Sequence, residues 1–540
     1  MVAFAAVVPG NCANIAVDVT IPATAAWPVT RAIPALRGHP WLLALPLLLL
    51  AMAFATSQLD NRAFQEDELA TLKLAGSDRR EPLSFADFRA MLVERSAEQA
   101  FGWPLLVSLW VQIAGWSEPA VRALPLLAGM LALAWTWRLG RDLFHHSVGL
   151  LALLALVTSG FFIAYMWFAR AFTSVALCST LLLWCYWRLR FHRRPAAPVH
   201  HVGLLLAASG LAWLHYFAAM LIVAVALFHL AFSRNHRAFW RPLALLALAA
   251  LLAAPQLPSL FTGLQESLED DNLKLSVLNA PDVLTASLDL AFGNVFAFPG
   301  VAGWTLLALL IAIPVHQSRQ PRGVGQEPVW LLALVLALFL ALALIANELV
   351  QVITPGRIRY LMPLWPLMAL LLAWTVRRQR KRRYRVAEWL LVSLIVTGIH
   401  AINDPGLKYS FGNSAYRDRM HIVQRELLSS AIEGDALLAG EFENDFVRTL
   451  VRDFYLEALP LPVLYLDDEG AEGWLAGARG HSRFWLLKTS HDSESYVALA
   501  TTLAGNAHQC QGRELRAIAT VDLYAWSAED CQPDRTPGGE

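Results

Sequence analysis

Charge is scarce in this chain. Only 16% of its 540 residues are Asp, Glu, Lys or Arg, while 56% are hydrophobic; an ordinary soluble domain carries roughly 25% charge. That excludes an ordinary globular protein and leaves a polytopic membrane protein. The 43 basic residues equal the 43 acidic ones, so no basic excess points to nucleic acid, and what matters is where the charges sit. Cysteine is scarce too: five residues, scattered, with no metal-ligand spacing. A P-loop, zinc spacing and a Ser-centred nucleophile elbow are all missing, so nucleotide-driven chemistry is not indicated. No internal repeat suggests the inverted halves of a transporter. Residues 1–40 are rich in Ala, Val and Pro and lack a signal-type apolar core with a cleavage site. They read as a disordered cytoplasmic lead or an over-extended start of the reading frame.

What the chain does have is long apolar runs. A span needs about 20 apolar residues, with 17 near the minimum. Such runs fall near 41–58, 119–139, 147–167, 171–188, 200–215, 217–232, 240–258, 300–316, 328–348, 360–376 and 386–402, about eleven in all. The 200–232 stretch is read as two short spans turning at His215-Tyr216. A twelfth run, Phe101–Trp116, is assigned by charge. If it does not cross, the clusters at Arg31/Arg37, Arg138/Arg141, Arg188–Arg194, Arg234–Arg241, Arg319/Arg322 and Arg377–Arg385 all lie on one side, as the positive-inside rule requires. Phe101–Trp116 is therefore expected to be an interfacial or re-entrant helix.

This parity gathers a different set of residues on the outer face. Glu66-Asp67-Glu68 follows the first run at once, and isolated arginines stand at the outer ends of others: Arg122, Arg170, Arg357 and Arg359. A carboxylate can accept a proton from a hydroxyl as that hydroxyl attacks, and a neighbouring carboxylate can orient it, raise its pKa or hold a cation. The other reading of the triplet is a solvated loop. Converging guanidiniums suit a phosphate or pyrophosphate leaving group; taken singly, each arginine could equally snorkel to headgroups. His215 and Tyr216 could position a substrate or simply be satisfied structural residues.

From about Asn403 the polarity returns to normal. Apolar stretches of strand character (Ala436–Ala439, Pro462–Leu466, Phe484–Leu487, Ile518–Trp526) alternate with helical patterns (Asp445–Leu459, Ser493–Ala504), which predicts a compact α/β domain over 403–540. An odd span count places it outside the cytoplasm, where Cys510 and Cys531 could form a bridge. The expected organisation is thus a lead over 1–40, a transmembrane domain over 41–402 whose outer loop 59–118 carries the acidic motif, and the C-terminal α/β domain.

Asp67-Glu68-Leu69-Ala70-Thr71-Leu72 after a first span resembles the aspartate-glutamate motif of GT-C glycosyltransferases of the protein O-mannosyltransferase and lipid A aminoarabinose transferase kind. Trp103-Pro104-Leu105-Leu106, the segment Ser117-Glu118-Pro119 to Arg122 and Pro125, Arg138-Leu139-Gly140-Arg141-Asp142-Leu143-Phe144, Ala169-Arg170, His215-Tyr216-Phe217 and Arg359-Tyr360-Leu361-Met362-Pro363-Leu364 continue the resemblance in order. One departure is Gly102-Trp103-Pro104 where the family often has His-Pro-Pro, so that histidine's role does not carry over.

The resemblance implies a polyprenyl-phosphate sugar donor and inverting transfer on the outer face, without a covalent intermediate. It implies Asp67 as base, Glu68 as its partner, and Arg170 and Arg359 at the lipid phosphate. Arg357 and Arg122 join the phosphate set by their outer position, and His215 and Tyr216 are assigned to substrate positioning. The acceptor class (lipid, glycan or protein) stays open. So does a divalent cation near Asp67 and Glu68; no cofactor is required and no metal ligands are assigned. The expected location is a bacterial-type inner membrane. The rivals are a lipid-linked sugar flippase and a non-catalytic subunit that binds envelope components. The catalytic reading requires Asp67 and at least two of the arginines to face one cavity.

Overall fold

The structure is a computed structural model that describes residues 41–57, 59, 63–77, 81–95, 99–191, 197–233, 239–269, 277–283, 327–379, 392, 395, 396, 399, 420–440, 451–457, 459–489, 493–513 and 520–531. The expected lead 1–40 and the run 300–316 lie outside these residues, as do almost all of 386–402 and the basic run beyond Gln379. The architecture below belongs to the compact unit Ala44–Glu540.

Helix α1 (Trp41–Thr56) is followed by three helices in the stretch that carries the acidic motif: α2 (Glu66–Leu74), α3 (Phe85–Arg95) and α4 (Gly102–Ala114). Then come α5 (Glu118–Leu143), α6 (His146–Val157), α7 (Gly160–Met166), α8 (Phe172–Arg190), α9 (Pro198–Leu214), α10 (Tyr216–Phe232), α11 (Trp240–Leu252) and α12 (Leu257–Glu269). Helix Glu327–Val350, a 3-10 segment Pro355–Leu364 and helix Trp365–Gln379 complete the apolar part. Five described helical stretches are long and apolar enough to cross a membrane, or six if α6 and α7, bent by 74°, count as one. α1, α4, α9 and α10 are shorter apolar helices. The stretch 200–232 does divide in two: His215 leaves the helical region (φ −164°) between α9 and α10.

Helix α1 buries only alanines, Ala44, Ala51 and Ala55, and several helices turn large apolar residues outward. Ala51 and Ala55 of α1 are buried while Leu49 is 59% exposed, and on α4 Val107 and Val111 are buried while Ile113 is 85% exposed. In lipid there is little hydrophobic drive between helices, so close backbone approach at small residues supplies the packing. α5 meets α6 at such a point, where a Cβ built on Gly140 would lie 2.8 Å from Gly149 Cα.

The same logic explains the departure at Gly102. A Cβ there would come within 2.6 Å of the Trp213 carbonyl oxygen, so the α4–α9 contact leaves no room for a histidine side chain.

The C-terminal region holds a five-stranded sheet in the order β2-β1-β3-β5-β4. β1 (Ala436–Ala439) pairs in parallel with β2 (Val463–Tyr465) and β3 (Arg483–Lys488), and β5 (Thr520–Ala525) runs antiparallel to β3 and to β4 (His508–Arg513). Helices Met420–Ser430, Leu466–Arg479 and Glu494–Gly505 accompany it. Four of the strands lie on the stretches read as strands; β4 is additional. Of the pattern Asp445–Leu459, residues 445–450 lie outside the described set, and Arg452–Leu456 is a π-helical turn. Cys510 and Cys531 are disulfide-bonded.

Candidate active site

The acidic triplet forms the first turn of a helix and is not a loop. Gln65 is the N-cap of α2, and the Glu68 side chain three residues on accepts its backbone N–H at 2.9 Å, one half of a capping box. Three carboxylates in that first turn also complement the positive end of the helix. Residues three and four apart share a helix face whereas neighbours do not, so Asp67 and Glu68 point to different surroundings.

Glu68 points inward. It is 1% exposed, and its carboxylate accepts from Arg122 Nε (3.0 Å) and Nη2 (2.8 Å) and from the Ala169 backbone N–H (2.8 Å). Arg122, fully buried, also donates to the carbonyls of Leu59 (3.1 Å) and Ala63 (2.8 Å), with its guanidinium over the ring of Phe64. Two sequence expectations are corrected here. Glu68 is engaged with Arg122 and not with Asp67, and Arg122 is spent on Glu68 and backbone carbonyls instead of standing ready for a phosphate. The pair fixes α2 to α5 and to the turn before α8.

Asp67 points the other way, into a cavity open to solvent. Arg170, Arg357, Arg359, His215 and Tyr216 line the same cavity. Arg359 Nη2 donates to Asp67 Oδ2 at 2.5 Å. Arg170 Nη1 donates to the Asp67 carbonyl (3.1 Å), Thr71 Oγ1 (3.1 Å) and Gln99 Oε1 (3.2 Å). The remaining wall is aromatic. The His215 ring sits 4.5 Å from that of Tyr360 and 5.7 Å from that of Phe172, and the Arg359 guanidinium lies over Phe172 at 5.6 Å.

Residues to which sequence reasoning gave no role complete this wall. Gln99 holds Arg170 and Trp103 donates its indole N–H to the Ala169 carbonyl at 3.0 Å; Tyr165 packs against the wall residue Phe172 at 5.0 Å. Their only signal was adjacency to motif residues, Trp103 within Gly-Trp-Pro and Gln99 just before it.

Several helices begin at the cavity: α2 beside Asp67, α4 beside Trp103, α8 at Phe172, α10 at Tyr216, and the 3-10 segment just before Arg357. Helix N-termini present unpaired N–H groups and partial positive charge. Together with the guanidiniums of Arg170, Arg357 and Arg359 they give the cavity a positive field in which Asp67 is the opposing charge. Two buried polar atoms there have no hydrogen-bond partner among the described residues: Arg359 Nε and His215 Nδ1. Among the described residues, no group of three or more His, Cys, Asp or Glu is arranged to hold a metal ion.

Burial pulls the Asp67 carboxyl upward, but the guanidiniums of Arg359, then Arg170, then Arg357 outweigh it and hold its pKa at about 2 against 3.8. A depressed carboxyl pKa contributes stability that is complete above the unfolded value and lost as pH falls toward the folded one. The melting-temperature difference between wild type and Asp67→Asn is thus expected to be constant above about pH 4 and to shrink as pH falls toward 2. A difference that changes between pH 8 and 5 would contradict the ionised pair.

The C-terminal region meets the chain just before α2 at a separate point. The buried Tyr455 hydroxyl accepts the Phe64 backbone N–H (2.7 Å) and donates to Glu118 Oε1 (3.0 Å). Burial first, with the Glu118 carboxylate adding to it, pushes the phenol pKa well above its usual value, so it stays a donor.

Residues 98–260 match the family model described as dolichyl-phosphate-mannose-protein mannosyltransferase. No curated protein shows significant sequence similarity. Among solved structures, the chain resembles ArnT from Cupriavidus metallidurans bound to undecaprenyl phosphate, with a TM-score of 0.51 and 14% identity over 91% of this chain and 99% of that one. It is also similar to the arabinofuranosyltransferase AftD from Mycobacteria (TM-score 0.47, 14% identity, 91% of this chain and 40% of that one). A third resemblance is to the Archaeoglobus fulgidus oligosaccharyltransferase (TM-score 0.41, 13% identity, 90% and 74%).

Proposed function

We propose that this chain is a membrane glycosyltransferase of the GT-C type that transfers a sugar from a polyprenyl-phosphate donor to an acceptor hydroxyl, with inversion and with Asp67 as the base. The observation that carries the reading is the convergence of Asp67, Arg170, Arg357 and Arg359 on one cavity. The undecaprenyl phosphate bound to ArnT supports the donor class.

In the proposed step the acceptor oxygen attacks the anomeric carbon, the bond from that carbon to the phosphate oxygen breaks with its electron pair leaving on the phosphate, and the hydroxyl proton passes to Asp67. Inversion follows from a single displacement. Helix N-termini and guanidiniums stabilise the charge that grows on the departing phosphate, and a phosphate leaves without needing an acid. Nothing in this step calls for a cofactor. Arg359 explains how a carboxyl held so low can serve as a base. A donor phosphate competes for the guanidinium, and once it does so Asp67 loses its strongest counter-charge and its pKa rises.

The Cys510–Cys531 bridge and the basic loops support an inner membrane with the sheet region outside the cytoplasm. The acceptor class is lipid, glycan or protein.

Arginine variants test the phosphate assignment. Arg gives a planar, bidentate fork where Lys gives a point charge. Arg359→Lys is expected to keep donor affinity within about threefold and lose about tenfold in rate, and Arg359→Ala to lose both. Donor binding and transfer measured on the same purified proteins decide it; wild-type values for both variants would leave Arg359 a headgroup anchor.

A further inference from the structure

Among the described residues, none from 420–531 lines the cavity, yet the C-terminal region holds the acidic helix from behind. α2 is nine residues long, too short to be stable alone, so the placement of Asp67 depends on what fixes the chain just before it. Three successive backbone groups there are each held by a different side chain. Arg122 takes the Ala63 carbonyl, Tyr455 the Phe64 N–H, and Glu68 the Gln65 N–H. Two of these side chains belong to α2 and α5; the third comes from almost 400 residues away.

Tyr455 is built into that position. It is fully buried, its backbone carbonyl accepts from Gln424 Nε2 at 2.8 Å, and the neighbouring Phe454 meets the Phe64 ring edge-on at 5.2 Å. Its hydroxyl therefore joins Phe64 to Glu118, the first residue of α5, while the Phe64 ring lies under Arg122. We propose that Tyr455 is a positioning residue that sets the N-terminus of α2, and hence the reach of Asp67, making the C-terminal region part of the transfer machinery. This rests on Asp67 being the base. Through this contact, movement of the sheet region on meeting an acceptor would be felt at Asp67.

Tyr455→Phe removes both hydrogen bonds and keeps the ring. In the full-length protein its kcat is expected to fall about tenfold with donor KM within about twofold, the signature of a misplaced group and not of lost binding. Amide exchange over 63–74 should quicken while β1, β3 and β5 keep wild-type protection. Wild-type kcat for Tyr455→Phe alongside an inactive Asp67→Asn would overturn the proposal and spare the base. So would a lowered melting temperature with faster exchange throughout the sheet and unchanged kcat per folded molecule, since that is a purely structural role. Wild-type transfer by Asp67→Asn would overturn the base assignment, and the proposal with it.

Discussion

Asp67→Asn protein is expected to transfer sugar at least about 100-fold more slowly than wild type, the loss typical of removing a general base, while binding donor as well or better. Asn keeps the size and the hydrogen-bonding carbonyl of Asp but cannot take the acceptor proton. It also removes the negative charge that occupies Arg359 at 2.5 Å, so the guanidinium becomes fully available to the donor phosphate. The two effects separate in kinetics: kcat falls and donor KM stays level or drops. An equal rise in donor KM would instead mean that Asp67 serves to bind.

The second large effect is expected in stability. Glu68 and Arg122 are 1% and 0% exposed at 2.8 Å. Removing one member of such a pair strands the other charge in a low-dielectric interior, which costs about 3–5 kcal/mol. Arg122→Ala also frees the carbonyls of Leu59 and Ala63. Glu68→Ala and Arg122→Ala should each melt well below wild type or fail to accumulate, with Glu68→Gln intermediate because an amide still accepts one Arg hydrogen bond. Wild-type thermal unfolding of Arg122→Ala, followed by size-exclusion fluorescence, would show that the pair contributes nothing. Such variants cannot report on phosphate binding, which is why the arginine test uses Arg359.

That Asp67, Arg170 and Arg359 would share one cavity was legible in the sequence because each stands where an apolar run gives way to charge and each falls in a motif with a recognisable order. Glu68 was not assigned correctly, although the signal was present. Gln65 and Glu68 have the spacing of a capping box, and residues 67 and 68 of one helix cannot face the same way. Its partner was beyond sequence reasoning, since Arg122 lies 54 residues on and nothing local distinguishes an arginine at a buried pair from one at a phosphate. Phe172 and the Tyr165 packed against it sit in continuous apolar runs, where an aromatic at a cavity and an aromatic in lipid look alike. β4 was missed for another reason. His-Gln-Cys-Gln-Gly-Arg shows no apolar alternation, and at the edge of the sheet beside β5 its His508 and Gln509 are exposed, so no buried face imposes one. Tyr455 fell in a stretch read only as helix, and its reach to Phe64 is a tertiary fact with no local trace.

The most direct test is to incubate purified wild type and Asp67→Asn with synthetic undecaprenyl-phosphate hexose and pentose donors plus native envelope extract, and to quantify released undecaprenyl phosphate by mass spectrometry. Release from at least one donor that depends on the extract, and that falls at least about 100-fold in Asp67→Asn, is the expected result. Release at equal rates from both proteins, or from neither with any donor, would contradict Asp67-driven transfer from a polyprenyl-phosphate sugar.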